Sequence, residues 1–173
     1  IVDMLYYRPS MLQKIGVTEP PTTWEEFDIL AQKLTQDFDG DGIIDQWGYA
    51  FRGGGVLDGA LTLKAASLLL GLNPDDYKDS GKVVYNDPKT IQAVERFVKM
   101  RNEWKCVPPG VTAYQHGEVA DLFLGGNLAM VIDPTDLYAR CAAPDSIIKD
   151  DFAMTKQPLA LPDGPKTQIV NWN

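Results

Sequence analysis

The residues with the clearest chemical reading form one acidic run, Asp37-Phe38-Asp39-Gly40-Asp41-Gly42-Ile43-Ile44-Asp45. Asp37, Asp39, Asp41 and Asp45 take positions one, three, five and nine of that loop. Carboxylates at this spacing can wrap one hard divalent cation, and Gly42 stands at position six, where a calcium loop turns sharply. Ile43 at position seven offers its backbone carbonyl, and Ile44 supplies the apolar anchor. Without a cation the four aspartates repel one another. The competing reading is a solvated acidic turn, because Asp and Gly are both turn formers. Position twelve is Gly48 instead of the bidentate glutamate that closes an EF-hand, so either a distant carboxylate completes the shell or the site is weak. Gln46-Trp47-Gly48-Tyr49 reads as strand, not as a second helix. The loop is therefore expected to be an EF-hand-like structural calcium site between a helix and a strand.

Little else in the chain reads as reaction chemistry. There is no GxSxG, HExxH, GxGxxG or P-loop. Gly53-Gly54-Gly55 reads as flexible backbone, or as a place where a ligand comes close. The one histidine, His116, lies at a polar helix start with no nucleophile partner and reads as a surface residue. Asp75-Asp76 and Asp150-Asp151 read as solvated pairs. Cys106 and Cys141 lack metal-site or CxxC spacing, and both a single disulfide and two free thiols stay open.

The chain has 173 residues, 45% of them hydrophobic and 23% charged, which suits one soluble globular domain. The net charge of −8 argues against nucleic acid as a partner, because the 16 basic residues form no run. The longest apolar stretch, near Ala65–Leu70, is far too short to span a membrane, and no stretch reads as a signal peptide. Ile1-Val2 already lies inside an apolar run and the sequence stops at Asn171-Trp172-Asn173. A piece of a longer protein is the expectation.

The elements that must position these residues are legible from periodicity and caps. Ile1–Tyr7 suits a strand, and Pro9–Ile15 a short helix ending at Gly16. Thr23-Trp24-Glu25-Glu26 is a capping box for a helix over Trp24–Thr35, with Phe27, Leu30, Ala31 and Leu34 inward. Trp47–Phe51 reads as a strand. Leu57–Leu70, apolar on nearly all sides, reads as a buried helix. Asn73–Ser80 reads as irregular and Val83–Tyr85 as a short strand. Asp87-Pro88 opens the next helix as N-cap and first residue. A helix over Gln115–Leu124 ends at Gly125-Gly126 and leads into a buried strand, Leu128–Ile132. Asp133-Pro134 begins a turn and a helix to about Arg140, and Asp151–Met154 reads as a last strand. Helices and strands alternate, which predicts an α/β layered fold, helix-rich with a small central sheet.

Five stretches in order resemble the carbohydrate-type extracellular solute-binding proteins, the receptors of ABC importers. They are Leu5–Val17 continuing into Pro20–Glu26, Asp39–Ala50, Val84–Pro88 with the helix that follows, Gly125–Ile132, and Pro158–Pro165. The resemblance covers nearly the whole chain. It implies a type II periplasmic-binding fold, with residues 1–173 forming mainly the C-terminal lobe of a two-lobe protein that lacks its N-terminal lobe and last helices. It implies a periplasmic or extracellular location, with a lipid anchor on the full-length protein.

In that family a sugar sits between two lobes. The resemblance places Arg52 and Asp58 on one wall, bonding hydroxyls, and Asp133, Asp136 and Tyr138 on the other. Neither wall has the stacking aromatic many relatives carry, which favours a more polar contact or a different sugar. Trp172, near the return hinge, supplies the missing aromatic or packs in the hinge. The expected function is sugar or oligosaccharide binding for a membrane permease, with structural calcium at Asp37, Asp39, Asp41, Ile43 and Asp45. The exposed cleft face of an isolated lobe would favour self-association. The enzyme alternative is a calcium-dependent glycan hydrolase or lyase using Asp133 and Asp136. A dockerin-like module ranks last, because it needs a duplicated loop.

Overall fold

The computed structural model describes residues 2–72, 80, 83–161 and 163. The order is β1 (Asp3–Tyr7), α1 (Pro9–Lys14), α2 (Trp24–Lys33), β2 (Trp47–Ala50), α3 (Val56–Leu69), α4 (Pro88–Asn102), α5 (His116–Leu124), β3 (Leu128–Pro134), α6 (Leu137–Cys141) and β4 (Ala153–Thr155). The strands form one sheet in the order β2-β3-β1-β4. β3 pairs parallel with β2 and antiparallel with β1, and β4 is antiparallel to β1. This is the expected α/β lobe with a small mixed sheet.

β3 is central because its sequence is apolar on both faces. Leu128, Ala129, Met130 and Val131 are all fully buried, and a strand covered on both sides reads as a continuous apolar run. The register sorts the layers. Tyr49 pairs with Met130, whereas Tyr6 pairs with the next residue, Val131. Successive strand side chains point to opposite faces, so Tyr49 and Tyr6 face opposite layers. Phe27 of α2 packs edge-on against Tyr49 at 4.9 Å, and Phe123 of α5 packs against Tyr6 at 6.3 Å. The sheet is thus sandwiched between α2 and α5.

Caps and cross-links fix the helices. The Glu26 N–H donates to Thr23 Oγ1 at 3.2 Å, while the Thr22 and Thr23 N–H groups donate back to Glu26 Oε2. The capping box of α2 is therefore present as expected. Asp87 caps α4 by accepting from the Lys89 N–H at 2.7 Å. Arg96 on α4 lies 4.2 Å over the Trp24 ring and donates from Nε to both carboxylate oxygens of Asp28, tying α4 to α2.

Several expectations need correction. Val84–Asn86 is a 3-10 turn, not a strand. Val83 and Tyr85 are exposed there, and the turn leads straight into the Asp87-Pro88 cap. α3 is not buried all round: Ala66, Ser67 and Leu69 are buried, but Asp58 and Thr62 are half-buried and Ala60 and Lys64 are exposed. β3 runs on through Asp133-Pro134, so the turn begins at Thr135. Asp151 is no solvated pair member, since it accepts from Arg8 Nε and from the Ser10 N–H, each at 2.9 Å. Burial pushes its carboxyl up, but the Ser10 and Arg8 bonds outweigh that and hold it below the usual range. Cys106 and Cys141 are both buried free thiols. The segment expected to be irregular, with Asp75 and Asp76, lies in residues 73–79, outside the described residues, as do Trp172 and the end of the Pro158–Pro165 stretch.

Candidate functional site

The strand directions gather one edge of the sheet. β2, β3 and β4 all point the same way and β1 points back, so the ends of three strands and the start of β1 meet. In open α/β sheets ligands bind outside the carboxyl ends of the strands. Arg52 follows β2, Asp133 lies near the end of β3, and Asp3 opens β1. Gln157 follows β4, and its Nε2 donates to the Asp3 carbonyl at 3.0 Å. α5 reaches this edge from the other direction. It runs into β3 through Gly125-Gly126 and packs against that strand, so its first residue, His116, returns beside the strand's last residues.

His116 Nε2 lies 2.9 Å from Asp133 Oδ1. Asp133 is fully buried, and its second oxygen, Oδ2, has no hydrogen-bond partner among the described residues. Burial pushes this carboxyl up to about 6, against the opposing pull of His116 and Arg52. The His116 backbone N–H donates to Asp58 Oδ2 at 3.2 Å. Arg52 Nη2 lies 3.6 Å from Asp3 Oδ2. Burial raises the Asp3 carboxyl also, with Arg52 opposing. Exposed Asp136 opens α6, and a carboxylate oxygen of it lies within 4.8 Å of ligand atoms on His116 and Asp133. Tyr138, 50% exposed, packs edge-on against Phe152 at 5.4 Å on the same turn.

Arg52, Asp58, Asp133 and Asp136 thus share one polar cluster, and His116 joins them. His116 keeps a surface position, its side chain 38% exposed, but it also bonds a buried carboxylate, which the surface reading did not anticipate. Asp133 is fully buried, and Arg52, though buried, lines the groove between α3 and α4. Arg52 pairs with Asp3 and Asp133 with His116, while Asp58 is half-buried and Asp136 and Tyr138 are exposed. Asp3, His116 and Gln157 were missed. Sequence carried a signal for His116, since a helix turned back by Gly-Gly onto a strand brings its start to the strand's end. The close approach at the glycine triplet is to the chain itself. The Gly53 N–H donates to the Val111 carbonyl at 3.2 Å and the Gly54 N–H to the Tyr114 carbonyl at 2.8 Å. Beside Arg52, an open groove between α3 and α4 is lined by Phe51, Leu63, Val94, Phe97 and Val98.

The acidic loop lies at the opposite edge, just before β2. Asp37 accepts from the N–H groups of Gly40 at 2.7 Å and Gly42 at 2.8 Å, and Asp45 accepts from the Phe38 N–H at 2.7 Å. Asp41 accepts from the Ile43 N–H at 2.7 Å. The loop's own N–H groups, Gly42 first, hold the Asp37 carboxyl below the usual range. Gly42 has φ of +90°, a left-handed turn at loop position six that glycine favours. Oxygens of Asp37, Asp39 and Asp45 lie within 4.8 Å of one another, an all-oxygen set that suits a hard cation.

The family profile of the bacterial extracellular solute-binding proteins matches residues 2–173. This chain belongs to that family. A probable ABC transporter-binding protein of Deinococcus radiodurans is 30% identical over 163 residues, 94% of this chain and 37% of that protein. The maltose-bound MalE3 of T. maritima superposes with a TM-score of 0.79 at 25% identity, over 95% of this chain and 40% of that one. A ribitol-bound ABC transporter solute-binding protein from Agrobacterium radiobacter gives 0.79 at 23% identity, over 95% and 39%. The chain therefore spans about two fifths of the length of these relatives. A family of solute-binding proteins sets the hydrolase and lyase alternative aside. Among the described residues no helix of this solute-binding protein is long and apolar enough to cross a membrane.

Proposed function

We propose that this chain is one lobe, mainly the C-terminal one, of an ABC importer's receptor for a sugar, oligosaccharide or polyol. The polar cluster at the carboxyl edge of the sheet carries the reading. Half-buried Asp58, exposed Asp136 and the nearby exposed Tyr138 offer acceptors and a hydroxyl donor to ligand hydroxyls, and the apolar α3–α4 groove beside them suits the carbon face of a ring. Maltose and ribitol in the named relatives support this ligand class. Closure on the ligand is a population shift, because the solute contacts the closed form more fully than the open one. The closed receptor would then dock on a membrane permease outside the cytoplasmic membrane. Melting this chain with maltose, maltotriose, ribitol and mannitol in excess calcium tests the reading. One ligand class raises Tm, is recovered intact, and loses affinity about tenfold in Asp58→Asn, the scale of one charged hydrogen bond. A shift untouched by Asp58→Asn, or a sugar returned cleaved, overturns it; no shift with any sugar means that this lobe alone does not bind and that the missing lobe must be restored before specificity is asked.

The acidic loop is proposed to hold one structural calcium through Asp37, Asp39, Asp41, Asp45 and the Ile43 carbonyl. Three convergent carboxylates and the Gly42 turn support this. Calcium that binds only the folded chain stabilises it by mass action. Removing calcium with a chelator should lower Tm by roughly 3 °C, and Asp39→Asn should abolish the difference. An identical melt with and without chelator leaves the loop a solvated turn.

A further inference from the structure

We propose that His116, Asp133 and Asp136 form a second cation site, one for a zinc-class divalent ion, at the edge of the cleft. Each residue offers one nitrogen or oxygen, and the three atoms already lie within 4.8 Å of one another. Donors at about 2.0–2.2 Å from a tetrahedral zinc stand a little over 3 Å apart. His116 Nε2 and Asp133 Oδ1, at 2.9 Å, are nearly there. Asp136 is exposed at the start of α6, so its side chain has room to close the remaining gap.

The independent observation is Asp133 Oδ2. It belongs to a fully buried carboxylate and has no donor within reach among the described residues. A carboxylate oxygen only accepts, and a buried acceptor left without a partner is uncommon in a native fold. A protonated His116 paired with Asp133 would satisfy Oδ1 alone. It would leave Oδ2 bare and Asp136 unused. A cation gripped by both oxygens of Asp133 answers both, and it offsets a local excess of Asp3, Asp58, Asp133 and Asp136 over the Arg52 guanidinium.

Ligand type separates this site from the acidic loop. An imidazole nitrogen with two carboxylates suits zinc and its neighbours, whereas the loop offers oxygen alone. Three protein ligands with one side toward solvent leave a coordination position open. The site stands whichever solute the cleft accepts.

His116 is the one histidine in the chain, so its imidazole NMR signal reads the site directly. Zinc chloride is titrated into the calcium-loaded chain, followed by that signal and by calorimetry. The imidazole resonances should move and saturate at one equivalent. His116→Gln and Asp136→Asn should each weaken zinc at least tenfold, and Asp136→Asn, an exposed substitution, should melt like the parent in chelator. Asp39→Asn in the acidic loop should leave zinc affinity unchanged. An imidazole signal that does not move at one equivalent, or a zinc heat insensitive to both substitutions, overturns the site. In the second case the zinc sits on the acidic loop.

Discussion

Gly48→Ala should cost the fold roughly 3 kcal/mol or more, the upper end for overpacking, because the clash is with rigid backbone. A Cβ at Gly48 would stand 1.8 Å from the Ala31 carbonyl oxygen, 2.6 Å from its carbon and 2.8 Å from its Cα. No rotamer relieves a contact with a helix carbonyl. β2 and α2 touch here, and the contact is cross-bonded. The Gly48 N–H donates to Thr35 Oγ1 at 2.9 Å, and that hydroxyl donates to the same Ala31 carbonyl at 2.9 Å. Moving α2 away would uncover Phe27, Leu30 and Leu34, all buried under it. Urea unfolding should show a lower midpoint with the slope retained. Gly117→Ala is the control, because its Cβ would meet nothing within 4 Å. A loss under about 1 kcal/mol for Gly48→Ala would show that the two elements are not in this contact. The same geometry explains the acidic loop's departure from an EF-hand. Position twelve cannot be glutamate, since no side chain fits there at all.

The sequence carried the framework well because its signals are local. The Thr23–Glu26 box, the Asp87-Pro88 start and the Gly125-Gly126 stop each depend on a few adjacent residues, and each stands where expected. Leu128–Val131 was legible as a buried strand because nothing but a two-sided core accommodates such a run. Val83–Tyr85 misled for the opposite reason: three apolar residues have no period, and the cap beside them decided the outcome. α3 misled because composition reports how apolar a helix is, not which neighbours cover it. Leu63 packs against Ala66, Leu70 and Ala93 yet is only half-buried and also lines an open groove. Within the site, Asp58, Asp133 and Asp136 were legible only through the resemblance to the family, which set them on the cleft walls. Their relation to His116 was not, since it depends on α5 folding back across the sheet. Asp3 was hidden further, because its place at the edge follows from β1 running antiparallel to β3, with Asp3 opposite Pro134. Burial of Asp133 is likewise a product of packing, and no neighbour in sequence announces it.

That burial makes Asp133→Asn a stabilising change. Removing this residue's charge should raise stability by about 2 kcal/mol at neutral pH in chelator, where most substitutions of buried residues lower it. The carboxylate is out of water, and one of its two oxygens has no donor. A buried charge without full pairing is costly. Holding the group near 6, against 3.8 when solvated, puts the cost of ionising it at about 3 kcal/mol at pH 7. The amide is neutral, nearly the same size, and can keep the bond to His116 Nε2. It recovers less than the full cost because its second polar group also stays unpartnered. Added zinc should then reverse the order. The parent gains stability by binding, while the amide gives the ion a poorer ligand. Chemical denaturation of both proteins, with chelator and with zinc, measures all four stabilities. Loss of stability on Asp133→Asn in chelator would mean that the carboxylate is paired in solution, and the buried unsatisfied charge would be ruled out. The expected crossing would mean instead that the lobe carries a standing cost at the cleft edge and that a bound cation removes it. A fold retains such a cost where the residue serves binding, since an apolar or amide side chain would hold β3 in place more cheaply.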